Sequence, residues 1–275
     1  MSAAPHITAL AETYRPVPLL QGKVLVIAGV GPGLGHSLSI EAARMGANLV
    51  LVSRTEHKLD KIAAQVRAHG GTALVAPADI TVEDQRRSLV DRTLAEYGRI
   101  DCLINNAFAI PPMNPITQIE IDHLRTVNET NVFAPLRLSA LFANALAASR
   151  GSIIMLNSCV SYSSQPEYSG YKLSKGALQH LASSLATELG PRGIRVNSIA
   201  PSYVYEDINK AYFDWLAGQA GVTHADIYRE KAAPTDLQRL AEPEEVARAA
   251  LFLASDLATA VTGQMLTVDC GEFHR

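Results

Sequence analysis

"KVLVIAGVGPGLGHSLSIEAARMG", residues 23–46, decides the fold. Residues 23–29 form a short apolar run, the pattern of a strand buried on both faces of a parallel sheet. Residues 34–46 carry apolar side chains at helical spacing. Gly29, Gly31, Gly33 and Gly35 crowd the turn between them. The chain then repeats the strand–helix alternation. Strands are expected at 48–53, 72–78, 101–106, 152–158, 194–200 and 265–269, and helices at 56–70, 82–98, 120–148, about 167–189 and 243–255. Strict alternation implies a parallel sheet covered by helices on both faces. The expected fold class is therefore α/β: one doubly wound domain over 22–275 with a seven-stranded sheet. Residues 1–21 contain three prolines and little pattern, and read as a surface extension, partly disordered.

The turn at 28–35 points to an anionic ligand. Glycine accepts φ > 0 and lets backbone approach closely, and a helix N-terminus offers free N–H groups to phosphate. The strand–turn–helix context turns a common glycine pattern into an expectation of dinucleotide binding at Gly29, Gly33, Leu34 and Gly35. The second strand ends "LVLVSRT". Ser53 stands where a carboxylate would receive the adenosine ribose, and Arg54 follows it. A guanidinium there pairs with a 2′-phosphate, so NADP is favoured, with NAD the alternative cofactor.

Composition narrows the class further. With 48% hydrophobic residues the chain builds a large core rather than remaining disordered. A net charge of −3, without a basic block, argues against nucleic acid. Cys102, Cys159 and Cys270 are scattered, which fits a reducing cytoplasmic setting. The beginning lacks a signal-peptide pattern, no long uninterrupted apolar run suggests a membrane span, and no spacing suits a metal.

"SGYKLSKGALQHL", 169–181, places Tyr171 and Lys175 four apart on one helical face. Ser158 ends a strand thirteen residues earlier, at the carboxyl edge of the sheet, where such folds bind ligands. Asn131 lies within the helix expected at 120–148. A phenol that moves a proton near neutral pH needs its pKa of about 10 lowered, and a cation one helical turn away does that.

On these residues the chain resembles the short-chain dehydrogenase/reductase family, a Rossmann-like group, over about 22–271. The resemblance rests on Gly29–x3–Gly33–x–Gly35, "ADI" at 78–80, "NNA" at 105–107, Asn131, Ser158, Tyr171-x-x-x-Lys175, "RVNSIAP" at 195–201 and "VDCG" at 268–271. Two positions depart from it: Phe108 replaces a glycine after "NNA", and Ser202 replaces the glycine after Pro201. The resemblance implies an NAD(P)-dependent oxidoreductase interconverting a ketone and a secondary alcohol. In it Tyr171 exchanges the proton, Ser158 binds the substrate oxygen, and Lys175 holds the nicotinamide ribose. Asn131 holds a water linking Lys175 to solvent. It also implies that Asp79 and Ile80 flank the adenine, Asn106 and Ala107 follow its ribose, Val204 reaches the carboxamide, and the chains form a homotetramer on the helices at 120–148 and 167–189. A catalytically silent nucleotide-binding regulator is the competing class, but such relatives lose the tyrosine or lysine retained here. A nucleotide-sugar epimerase or dehydratase would need a larger C-terminal substrate region than the few residues after 271.

Residues 201–240 interrupt the alternation beside this site, with a substrate lid expected at about 201–235. Residues 206–217 read as a short helix with Tyr212, Trp215 and Leu216 on one apolar stripe. With Tyr203, they predict a mobile lid over a pocket for a hydrophobic, ring-bearing or aryl ketone or alcohol. Lys210 and Arg229 leave a 3-oxoacyl thioester as the alternative substrate.

Overall fold

The computed structural model describes residues 16–274; most of the extension expected at 1–21 lies outside them. Seven parallel strands run in the order β3-β2-β1-β4-β5-β6-β7: β1 Val24–Ala28, β2 Asn48–Ser53, β3 Thr72–Pro77, β4 Cys102–Asn105, β5 Ser152–Leu156, β6 Arg195–Pro201 and β7 Met265–Val268. β1 pairs with both β2 and β4 in register, Ile27 lying beside Leu51 and Ile104. The order reverses between β1 and β4, and the connections from their carboxyl ends lead to opposite faces of the sheet. A crevice opens there.

Side chains alternate across the strands, so the central ones feed two cores. Leu25 and Ile27 of β1 face α1 (Leu34–Arg44), α2 (Glu56–Ala68) and α9 (Pro243–Ala254), while Val24, Val26 and Ala28 face the other layer. That layer holds α3 (Glu83–Tyr97), α5 (Ala134–Ser149) and α6 (Ser169–Leu189). Buried Glu41 of α1 ties the first layer together, accepting from Arg44 at 2.7 Å and from Arg248 of α9 at 3.0 Å.

Three expectations need correction. Leu20, placed in the surface extension, is fully buried, and its N–H donates to Met45 at 3.0 Å. The helix expected at 120–148 is not continuous: α4 (Ile121–Asn128) gives way to a π-turn, Glu129–Phe133, before α5. Pro135 explains the break, because it lacks the N–H that would bond the carbonyl of Asn131 in an α-helix. Ser158 does not end a strand. It lies beyond β5 and caps the short turn Cys159–Ser161, its Oγ accepting from the N–H of Val160 at 3.1 Å. The span Ile121–Ser149 is long and apolar enough to cross a membrane by composition. Here Ala134, Leu138, Phe142 and Leu146 bury its inner face against the sheet.

After β6 come α7 (Asp207–Ala220) and α8 (His224–Ala232). The second helix was not expected from the sequence, although Thr223 and Asp226 form a capping box at its start. The two helices close a small core of their own around Phe213, Ala217, Ile227 and Leu240.

Candidate active site

The crevice at the switch point is a cavity of about 1530 Å³, larger than the roughly 300–1,000 Å³ of a pocket for one small ligand. Its floor is the glycine turn. Gly29 has φ +105°, and a Cβ there would overlap the backbone of Ala107; a Cβ on Gly35 would sit 2.5 Å from the Gly29 carbonyl. Asn106 fixes the loop by donating from Nδ2 to that carbonyl at 2.6 Å. Gly33 precedes α1 without a side-chain cap, so the helix opens toward the cavity through Leu34 and Gly35. A helix N-terminus that its own cap residue leaves open, and missing Cβ atoms, fit a pyrophosphate.

Ser53 and Arg54, at the end of β2, line the same cavity. So do Asp79 and Ile80 after β3. Thr81 holds the Asp79 carboxyl below its usual value, donating from its hydroxyl at 2.7 Å and its N–H at 2.9 Å; burial opposes this and Arg54 adds a smaller pull. The Ile80 carbonyl is pinned by the buried Arg86, whose Nη1 donates to it at 2.6 Å. These residues can hold the adenosine half of a dinucleotide.

Ser158, Tyr171 and Lys175 meet at the other end of the cavity. The Ser158 hydroxyl faces the Tyr171 phenol closely enough to pull its pKa down, and buried Lys175 donates from Nζ to the Leu156 carbonyl at 2.7 Å. Helix α6 therefore carries both members of the pair against the carboxyl edge of β5. The electrostatics differ from the sequence expectation. Burial pushes the Tyr171 phenol above its ordinary value, with the Ser158 hydroxyl pulling the other way, and burial also depresses the Lys175 ammonium to about 7. Desolvation is the largest cause at both groups, since each is buried in the same dry environment.

Phe108, where the family has glycine, is part of this cluster. Its ring stands edge-on to Tyr171 with centroids 5.5 Å apart, and Lys175 Nζ lies 4.5 Å from its centre. Asn131 lies behind it, outside the cavity lining. Its amide is used at both ends, Oδ1 accepting from the Ala109 N–H and Nδ2 donating to the Ala109 carbonyl, each at 2.8 Å. The side chain thus clamps the segment after β4. Asn128, three residues earlier, accepts from the Ser174 hydroxyl at 2.7 Å.

Over the cavity, α7 divides the stripe expected on it. Phe213 and Ala217 are buried and Leu216 packs partly with them, whereas Tyr212 and Trp215 remain 36% and 58% exposed, stacked with centroids 5.9 Å apart. The core face is thus set by Phe213, one residue round from Tyr212, and the other two aromatics are left to line the cavity with Tyr203. Val204 is buried at the base of this segment, bridged to Ala241. Cys159 sits beside Ser158 but donates to the Ala200 carbonyl at 3.1 Å, and burial pushes its thiol up, so it is no nucleophile. Glu206 was not singled out from the sequence, where it looks like any acid before a helix. Its carboxylate accepts from the Leu34 N–H at 2.9 Å.

This arrangement has known counterparts. A family model described as Enoyl-(Acyl carrier protein) reductase matches residues 29–272. The chain is 32% identical to the 7alpha-hydroxysteroid dehydrogenase of Escherichia coli (strain K12), covering 92% of this chain and 94% of that one. It is 33% identical to the cyclopentanol dehydrogenase of Comamonas sp. (strain NCIMB 9872), over 90% and 96%. A solved 7 alpha-hydroxysteroid dehydrogenase complexed with NADH and 7-oxo glycochenodeoxycholic acid superposes with a TM-score of 0.81 at 32% identity, over 92% and 94% of the two chains. Sheet order, glycine cradle and sequence likeness agree: the chain belongs to the short-chain dehydrogenase/reductase family and is an NAD(P)-dependent oxidoreductase acting on alcohol and ketone groups.

Proposed function

We propose that the protein interconverts a hydrophobic, ring-bearing ketone and its secondary alcohol, with NADP favoured over NAD. The observation that carries this reading is one cavity shared by the glycine cradle, the Ser158–Tyr171–Lys175 cluster and the exposed aromatics of α7. The bound nicotinamide supplies or accepts the hydride. Ser158 orients the substrate oxygen and stabilises its developing charge, and Tyr171 gives that oxygen a proton in reduction and takes it back in oxidation. Lys175 holds the nicotinamide ribose and Val204 meets the carboxamide. Asn131 acts at one remove, fixing residues 108–109 against the pair.

Cyclic substrates are supported by the two relatives, whose names specify a hydroxysteroid and cyclopentanol, and by Phe108, Tyr203, Tyr212 and Trp215 on the cavity wall. The 3-oxoacyl thioester alternative loses ground because Lys210 and Arg229 are each paired with an acid on their own helix, Asp207 and Asp226. The test is the near-ultraviolet absorbance of NADPH and NADH against a panel of cyclic, aryl and linear ketones and 3-oxoacyl thioesters. Cyclic or aryl ketones should be turned over fastest, and preference for a thioester would overturn the assignment.

Two substitutions test the pocket. Trp215→Ala should raise KM for bulky cyclic ketones by about tenfold, or ~1.4 kcal/mol of lost apolar contact, and leave small ketones and cofactor affinity nearly unchanged. Equal losses for all substrates would return Trp215 to a structural role. Arg54→Asp should move the NADPH/NADH ratio of kcat/KM toward NADH by about tenfold or more, because it exchanges a cation for a carboxylate at the 2′-phosphate. The solved relative contains NADH, so paired kinetics with both cofactors decide the point. A wild type preferring NADH would remove Arg54 from the argument.

The free thiols of Cys102, Cys159 and Cys270 suit a cytoplasmic protein. Phe133 at the end of the π-turn, Leu136 on α5 and Leu173 on α6 are exposed apolar residues in the two segments implicated in assembly. They support a homotetramer. Light scattering at micromolar concentration should give the tetrameric mass, and a monomer would contradict it.

A further inference from the structure

Glu206 is an anion at the place built for one. It is the residue before α7, with extended backbone (φ −114°, ψ 170°). Its Oε2 accepts from the N–H of Leu34, the first residue of α1, at 2.9 Å. A Cβ at Gly33 would overlap that same oxygen, so glycine makes room for the carboxylate. Asp207 and Lys210 are the charged groups beside it; burial pushes its carboxyl up, against the pull of the Leu34 amide. The carboxylate is therefore desolvated and held chiefly by one N–H and the positive end of α1.

A pyrophosphate needs the same N–H and the same helix end, and two anions do not share them. We propose that Glu206 is a resident competitor for the cofactor's phosphate seat, latching α7 to the glycine loop until the pyrophosphate displaces it. The proposal rests on the dinucleotide reading above. Its consequence is order. The chain before Glu206 stays anchored, the Tyr205 N–H donating to Ala241 at 2.8 Å. The helix after it carries Tyr212 and Trp215. Cofactor entry thus frees the helix that forms the substrate wall, so cofactor binds first and the wall settles afterwards.

Calorimetric titration of NADP+ and NAD+ into the wild type, Glu206→Gln and Glu206→Ala tests the competition. Both variants should bind the cofactors about five- to tenfold more tightly, because the resident charge is gone. Unchanged or weaker binding in both variants, with thermal unfolding intact, overturns the proposal. Hydrogen exchange of the wild type supplies a test that needs no variant. Saturating NADP+ should slow exchange at residues 33–35 and quicken it at 206–212, as one anion replaces the other. Slower exchange at both segments overturns the latch. A wild type that binds neither dinucleotide defeats the cofactor reading itself, an outcome distinct from either of these.

Discussion

Tyr171→Phe should lower turnover by about two to four orders of magnitude while leaving the fold and cofactor affinity in place. The substitution removes one oxygen. The ring keeps its edge contacts with Phe108 and Tyr168, at centroid distances of 5.5 and 6.2 Å. Ser158 keeps the Val160 N–H on its Oγ. Lys175 remains bonded to Leu156. Only the proton donor to the substrate oxygen is lost, so kcat should fall and the dissociation constant for NADPH should not. Steady-state kinetics beside a cofactor titration separates the two. Near-normal kcat would mean that another group moves the proton.

Gly29→Ala should have the largest effect on stability. An L-residue at φ +105° is strained by about 1–3 kcal/mol. The added methyl would also meet the backbone N and Cα of Ala107, which no rotamer change can move aside. Both its own N–H and that of Val30 donate to the Val52 carbonyl at 2.9 Å, so the strain spreads into the β1–β2 pairing. A loss of about 3–4 kcal/mol is expected from denaturant unfolding, with cofactor affinity falling alongside. Gly31→Ala is the internal control. A Cβ there meets nothing within 4 Å, and stability should change by no more than about 0.5 kcal/mol. Equal effects at the two glycines would show that the cradle is not set by these contacts.

The parts of this molecule that were legible in the sequence are those written in local pattern. Buried strands such as 24–28 and the glycines between β1 and α1 announce themselves by residue type and spacing. So does the one-turn spacing of Tyr171 and Lys175. What escaped is decided by residues distant in the chain. The π-turn is the exception, since the missing N–H at Pro135 lies only two residues beyond it. Leu20 is buried because Met45 and the first core lie beside it. Asn131 could be picked out as a site residue, but its bond to Ala109 spans 22 positions. Glu206 meets Leu34 across 172. The electrostatic expectation for Tyr171 and Lys175 was reversed for a similar reason: charge pairing can be read from spacing, whereas desolvation depends on how much protein closes over the pair.

Trp215 is the only tryptophan in the chain. It is 58% exposed on α7, stacked on Tyr212 at the cavity wall. Its emission therefore comes from one address, and that address is the segment expected to move. No dye or engineered label is needed to watch the wall: a change in colour or intensity of the intrinsic fluorescence is a change at α7, resolved on the timescale of a stopped-flow mixer. The protein carries its own optical gauge of the order in which its two ligands arrive.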